Sequence, residues 1–160
     1  MTEFASLELA PALARAAGTL GFDVLTEVQA QALPPILAGR DVIAQAMTGS
    51  GKTAAFGFGL LQRVDPALVG IQALVLCPTR ELADQVSKDL RRFAAFLPNV
   101  KLLTLCGGIP LRPQLASLTH PPHVVVGTPG RILELLERDA LALDGVRVVV
   151  LDEADRMLDM

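Results

Sequence analysis

The stretch Ala46-Met47-Thr48-Gly49-Ser50-Gly51-Lys52-Thr53 follows the apolar run Val42-Ile43-Ala44 and leads into Ala54-Ala55-Phe56-Gly57-Phe58. Its order is strand, glycine-rich turn, helix. Glycines in such a turn let successive backbone amides point inward around a polyphosphate, and the N-terminus of the helix that follows adds partial positive charge. Lys52 is placed to reach the terminal phosphates and Thr53 to ligate magnesium, so Thr48, Gly49, Ser50, Gly51, Lys52 and Thr53 read as a nucleotide site. The general G-x-x-x-x-G-K-[ST] pattern has glycine where this chain has Ala46, and taken alone the stretch also fits a glycine-rich start of a helix.

On either side of this loop, apolar runs alternate with helical patterns. Strands are expected at Asp41 to Ala46, Ala73–Cys77, Lys101–Cys106, Val124–Gly127 and Val146–Leu151, with helices between them, the longest from Glu81 to Leu97. The runs are continuously apolar rather than alternating, and each leads into a helix. That indicates a parallel sheet with helices on both faces, the α/β class. Ahead of the loop, Leu13, Ala16, Ala17 and Leu20 share a helical face that Gly21 closes, a second helix starts at Thr26, and Pro34-Pro35 is expected to break it and start a short third one.

With 160 residues, 51% of them apolar, the chain can bury the core of one domain, and a disordered or fibrous chain is excluded. A net charge of -3 gives no global attraction to a polyanion, so any nucleic-acid contact must be local. Met1-Thr2-Glu3-Phe4 has no basic targeting region and the uncharged stretch from Pro66 to Thr79 is too short to span a bilayer, so a cytoplasmic location without membrane contact is expected. Cys77 and Cys106 stand singly in apolar runs and read as buried, reduced thiols; His120 and His123 flank Pro121-Pro122 and read as a loop, not a metal pair.

At the last expected strand, Val148-Val149-Val150-Leu151 delivers Asp152-Glu153-Ala154-Asp155 to the carboxyl edge of the sheet, where open parallel sheets place their ligands. Asp152 there can orient the magnesium that Thr53 touches, largely through water, and Glu153 can position or deprotonate an attacking water. The same four residues also fit an acidic helix N-cap.

The pairing of the loop ending at Lys52-Thr53 with Asp152-Glu153-Ala154-Asp155 resembles the DEAD-box RNA helicases, over the whole chain. Gly21-Phe22, Thr26 and Gln29 match that family's Q motif, with Phe4 at the spacing of its upstream aromatic. Pro78-Thr79-Arg80-Glu81-Leu82-Ala83, Gly107-Gly108 and Thr128-Pro129-Gly130-Arg131 match its RNA-contacting motifs in order. The wording of residues 73–86, 97–99 and 105–108 looks closest to the bacterial DbpA type, associated with ribosome assembly. The resemblance implies an N-terminal RecA-like P-loop NTPase domain that uses ATP and Mg2+, with Lys52, Asp152, Glu153 and Asp155 catalytic and Phe4, Thr26 and Gln29 completing the nucleotide site. It implies an RNA partner, single-stranded or a short duplex, held by its backbone through Pro78, Thr79, Arg80, Gly107, Gly108, Thr128, Pro129, Gly130 and Arg131. Gln29 carries the donor and acceptor that adenine's edge requires, although Thr26-Glu27-Val28-Gln29 is also a capping box. Arg80 and Arg131 also fit solvated helix ends, Gly107-Gly108 an ordinary turn, and Leu25 and Glu27 stand where the family often has proline.

The family's Ser-Ala-Thr segment and second RecA-like domain do not match any part of the 160 residues. The expectation is therefore a Q-motif helical region over 1–40 and a partial RecA-like domain over 41–160, incomplete at its C-terminus. Such a chain is expected to bind ATP and RNA without RNA-stimulated turnover, which needs the second domain. A binding module without turnover and a P-loop ATPase unrelated to RNA stay open beside the helicase reading.

Overall fold

A computed structural model describes residues 2–160. They form two compact units: residues up to Arg63 together with Asp89–Leu97, and Val64–Lys88 together with Pro98–Met160.

The first unit is helical. After a 3-10 turn at Phe4–Ser6 come α1 (Pro11–Thr19), α2 (Glu27–Leu37) and α3 (Lys52–Leu61). Pro11 occupies the first turn of α1, where its missing N–H costs nothing, and Leu13, Ala16 and Ala17 are its buried face. Phe4, Phe22, Phe58 and Phe93 interlock around the Phe58–Phe93 stack, whose ring centroids lie 4.5 Å apart.

Two expectations fail in this unit. Pro34 and Pro35 do not break α2; they lie inside it, and no separate short helix follows. Their missing donors would have served the carbonyls of Ala30 and Gln31, but only the last turn remains, and it closes with the Ala38 and Arg40 amides donating to the Pro34 and Pro35 carbonyls at 3.0 Å each. Ile36 keeps that turn in place by packing where a Cβ at Gly59 of α3 would lie. The strand expected at residues 41–46 is also not formed: the segment is irregular, with Val42 37% and Ile43 fully exposed. A strand exists only through a neighbour's ladder, and these residues pair with none of the four strands, whatever their apolar character.

The second unit is the sheet: β1 (Ala73–Leu76), β2 (Leu102–Leu105), β3 (Val124–Gly127) and β4 (Val148–Leu151), all parallel in the order β2-β3-β1-β4. Each strand leads into a helix: α4 (Arg80–Phe93, passing into the first unit at Asp89), α5 (Leu111–Ser117), α6 (Pro129–Glu137) and α7 (Ala154–Met157). The central β3 is buried throughout and β1 nearly so, as continuous apolar runs require, whereas β4 alternates as an edge strand does. Leu74, Leu105, Val125, Ile132 and Leu135 centre the core below β1–β3. A Cβ at Gly127 would stand 2.5 Å from the Leu105 carbonyl and 2.7 Å from Ile132, so only glycine permits that approach of β2, β3 and α6.

Candidate nucleotide and nucleic-acid sites

The phosphate-type loop lies in the first unit. Gly49 (φ 83°) and Gly51 (φ 93°) adopt the left-handed backbone that glycine allows, with the Ser50 amide between them donating to the Met47 carbonyl at 3.2 Å, and Gly51 is the N-cap of α3, so Lys52 and Thr53 open that helix. Gln29 holds the loop. Its Oε1 accepts from the Thr26 amide at 2.9 Å, its own amide donates to Thr26 Oγ1 at 3.4 Å, and its Nε2 donates to the Gly51 carbonyl at 3.2 Å. The capping box is therefore real, and the same amide ties α2 to the loop; one N–H and one lone pair of Gln29 remain. A Cβ at Gly51 would collide with Gln29 Nε2. Ser50 Oγ is buried without a hydrogen-bond partner, a donor that a phosphate oxygen would satisfy. A cleft of about 600 Å³ opens beside the loop, lined by Thr26, Gln31, Val42, Ala46, Met47 and Ser50 among others. Phe4 is 4% exposed, its ring packed against Phe22 and Phe58, so it supports α3 from the core and presents no free face to a base.

The acidic run lies in the second unit. The Asp152 amide donates to the Leu76 carbonyl at 3.0 Å, which continues the β1–β4 pairing one residue past the strand and leaves Asp152 only 9% exposed at the carboxyl edge. Burial, with Asp152 as the next contributor, pushes the Cys77 thiol up to about 12. Glu153 has φ 53° and ψ 51°, a left-handed conformation that costs a non-glycine residue about 1–2 kcal/mol. Such strain concentrates where side-chain direction matters more than stability. Glu153 occupies the N-cap position of α7 yet makes no capping hydrogen bond; its Oε2 accepts from Arg156 at 2.7 Å instead. Asp155 is exposed in the first turn of α7.

The residues expected to meet RNA converge at the same edge of the sheet. Thr79 caps α4, its Oγ1 accepting from the Leu82 amide at 3.2 Å, which sets Arg80 at the helix start. Pro78 before it is half-buried. Arg80 Nη1 donates to the Gly108 carbonyl at 3.3 Å, and the Gly107 amide donates to Thr128 Oγ1 at 3.1 Å. A hydroxyl that accepts in this way keeps its own proton to donate. Gly108 (φ 77°) is exposed, Pro129 opens α6, and the space above Gly130 is clear.

Arg131 departs from its expectation. Its side chain is 9% exposed, with Nη1 donating to Gln114 Oε1 at 2.8 Å and Nη2 to the Ile109 carbonyl at 3.0 Å. Nε stands 3.1 Å from Glu134 Oε2, an ion pair whose N–H is not aimed well enough for a hydrogen bond. Every arm of the guanidinium is engaged inside the unit, so it is neither a solvated helix end nor a free phosphate ligand. Gln114, a residue without a motif, completes this arrangement: buried, it also donates to the Cys106 carbonyl at 3.1 Å. Only its spacing on the short α5, one turn past Pro110, hinted at it. Cys77 and Cys106 are free and buried, and burial raises Cys106 to about 11. His123 Nδ1 accepts from the Lys101 amide at 3.0 Å and the His120 carbonyl from Lys101 Nζ at 2.6 Å, as a structural loop.

A sequence model of the DEAD/DEAH box helicase family matches residues 26–160. Over its full length the chain is 60% identical to the ATP-dependent RNA helicase DbpA of Escherichia coli (strain K12), covering 35% of that protein. It is 45% identical to the DEAD-box ATP-dependent RNA helicase CshA of Bacillus cereus (strain ATCC 10987 / NRS 248), covering 30% of it. The chain thus spans about a third of the length of these relatives. The crystal structure of a DEAD box protein from the hyperthermophile Methanococcus jannaschii superimposes on all of this chain and 44% of that one, with a TM-score of 0.92 at 39% identity. A phosphate loop cradled by left-handed glycines, an acidic run at the carboxyl edge of a parallel sheet, and these matches agree: the chain belongs to the DEAD/DEAH box helicase family.

Proposed function

We propose that this chain is the nucleotide-binding part of an ATP-dependent RNA helicase, made of a Q-motif helical region over 1–40 and a partial RecA-like domain over 41–160. The observation that carries the reading is the loop itself. Its two left-handed glycines, the buried and unpartnered Ser50 Oγ, and the Gln29 clamp on the Gly51 carbonyl support a loop that would take a polyphosphate. Lys52 would meet the terminal phosphates as a point charge, and the remaining donor and acceptor of Gln29 suit adenine. Thr53 and Asp152 would hold Mg2+, which neutralises phosphate charge when bound. Among the described residues no cluster of three or more His, Cys, Asp or Glu side chains offers another metal site. Asp155 joins Lys52, Asp152 and Glu153 as a catalytic residue.

Arg80, the Thr128 hydroxyl and the Gly107-Gly108 and Pro129-Gly130 backbone would hold single-stranded RNA by its phosphates. These contacts read no bases. The whole protein would unwind short RNA duplexes in the cytoplasm, with ribosome assembly particles as its setting and a second RecA-like domain completing the site. No helix of the described residues is long and apolar enough to cross a membrane. By itself the chain would act as a binding module without turnover, because turnover needs the arginine finger and the water exclusion that a second RecA-like domain supplies.

Isothermal titration with ATP and magnesium tests the site. The chain should bind, and Lys52→Ala should lose an interaction worth about 1.5–3 kcal/mol, roughly a ten- to hundredfold weakening. Equal affinities would remove the phosphate assignment.

A further inference from the structure

We propose that Gln114 and Arg131 are positioning residues that set the phosphate-facing loop of the RNA site without touching RNA. This rests on the RNA reading given above. The segment Cys106–Pro110 crosses the carboxyl edge between β2 and α5, and it carries the Gly107-Gly108 backbone proposed to receive the sugar-phosphate chain. A five-residue turn with two glycines has little conformational preference of its own. Its geometry therefore comes from what grips it.

Three grips are visible. Thr128 Oγ1 takes the Gly107 amide, and Arg80 takes the Gly108 carbonyl, but both of these groups are themselves proposed to face phosphate and would be shared with it. The third grip is independent of RNA. Gln114, 5% exposed, donates to the Cys106 carbonyl at 3.1 Å, and accepts from Arg131 Nη1 at 2.8 Å, whose Nη2 holds the Ile109 carbonyl at 3.0 Å. Gln114 and Arg131 thus hold the carbonyls on both sides of the glycine pair, with Glu134 countering the guanidinium charge. Glutamine is the residue type that can do this: one end must donate to a carbonyl while the other accepts from a cation. The pair leaves the amides and the Thr128 hydroxyl to the ligand, with the loop already ordered before binding.

The test uses the 160-residue chain and a fluorescently labelled single-stranded oligouridylate, with anisotropy read across a salt series, and ATP binding measured alongside. Gln114→Met keeps the volume and removes both hydrogen bonds; Gln114→Glu keeps the acceptor for Arg131 and loses the donor to Cys106. Gln114→Met should weaken RNA binding on the order of tenfold, as loss of buried bonds to a charged partner does, with Gln114→Glu in between and ATP affinity unchanged. The slope of log affinity against log salt should also fall by about 0.7, because Arg80, which bonds the Gly108 carbonyl of this loop, loses its phosphate contact when the loop shifts, although Gln114 carries no charge. A merely structural role would lower the folded fraction and leave that slope alone. Wild-type affinity and slope in Gln114→Met overturn the positioning role. If the unsubstituted chain fails to bind the oligouridylate while ATP binds, the RNA reading itself falls and this inference with it.

Discussion

Replacing Gln29 with alanine removes a side chain that joins α2 to the phosphate loop, and its cost can be worked from the geometry. The side chain is 1% exposed and makes two hydrogen bonds of its own, 2.9 Å from the Thr26 amide and 3.2 Å to the Gly51 carbonyl. Thr26 is exposed and Gly51 half-buried, so each lost bond falls near the lower end of the roughly 1–3 kcal/mol that an unsatisfied group costs. Lost packing of the buried stem adds about 1 kcal/mol, and alanine's better helix propensity returns a few tenths. The sum is about 2–3 kcal/mol, which for a chain of this size lowers Tm by roughly 5–10 °C. A second effect concerns the nucleotide. Loosening the loop weakens ATP and GTP alike, whereas loss of a base contact weakens ATP alone, by about 1–3 kcal/mol of discrimination. Thermal melting by circular dichroism, with titration of both nucleotides, separates them. A Tm within about 2 °C of the wild type would refute the clamp. Equal weakening of ATP and GTP would keep the clamp and eliminate the base contact.

Three further outcomes are expected. Glu153→Gly relieves a left-handed residue and should stabilise the chain by about 1 kcal/mol in urea unfolding, even though the residue is proposed as catalytic; destabilisation would show that the Arg156 pair outweighs the strain. Thr128→Val removes the acceptor of the Gly107 amide at constant volume and should lower RNA affinity without changing ATP affinity, measured by anisotropy and calorimetry. Cys77 and Cys106, raised to about 12 and about 11 chiefly by burial, should resist a thiol reagent at pH 8 and react only on unfolding. Because their folded pKa values are raised above the ordinary 9, the folded chain keeps these protons when the unfolded chain loses them, so stability is fully present below pH 9 and is lost as pH rises toward 11 and 12. Flat stability from pH 8 to 11 in urea titrations would contradict that burial.

Local chemistry alone determined much of this protein. The apolar runs at 73–76, 102–105, 124–127 and 148–151 are strands because a buried parallel strand needs apolar residues on both faces, and that is a property of a few consecutive residues. The phosphate loop is legible for the same reason: positive φ costs glycine least, and Gly49 and Gly51 supply it where Lys52-Thr53 open the helix. Tertiary structure decided the rest, wherever a residue's role depends on a distant partner. Residues 41–46 have the composition of a strand and pair with none of the four, and composition cannot supply a ladder. Pro34-Pro35 is a helix breaker in isolation, but packing of Ile36 against Gly59 carries α2 through it. Arg131 reads as a cation for phosphate until Gln114, seventeen residues earlier, and the Ile109 carbonyl are seen to occupy it. Phe4 likewise reads as part of the nucleotide site until Phe22 and Phe58 are seen to enclose it. A motif names the atoms available for chemistry, and long-range hydrogen bonds and packing determine which of them are left free to perform it.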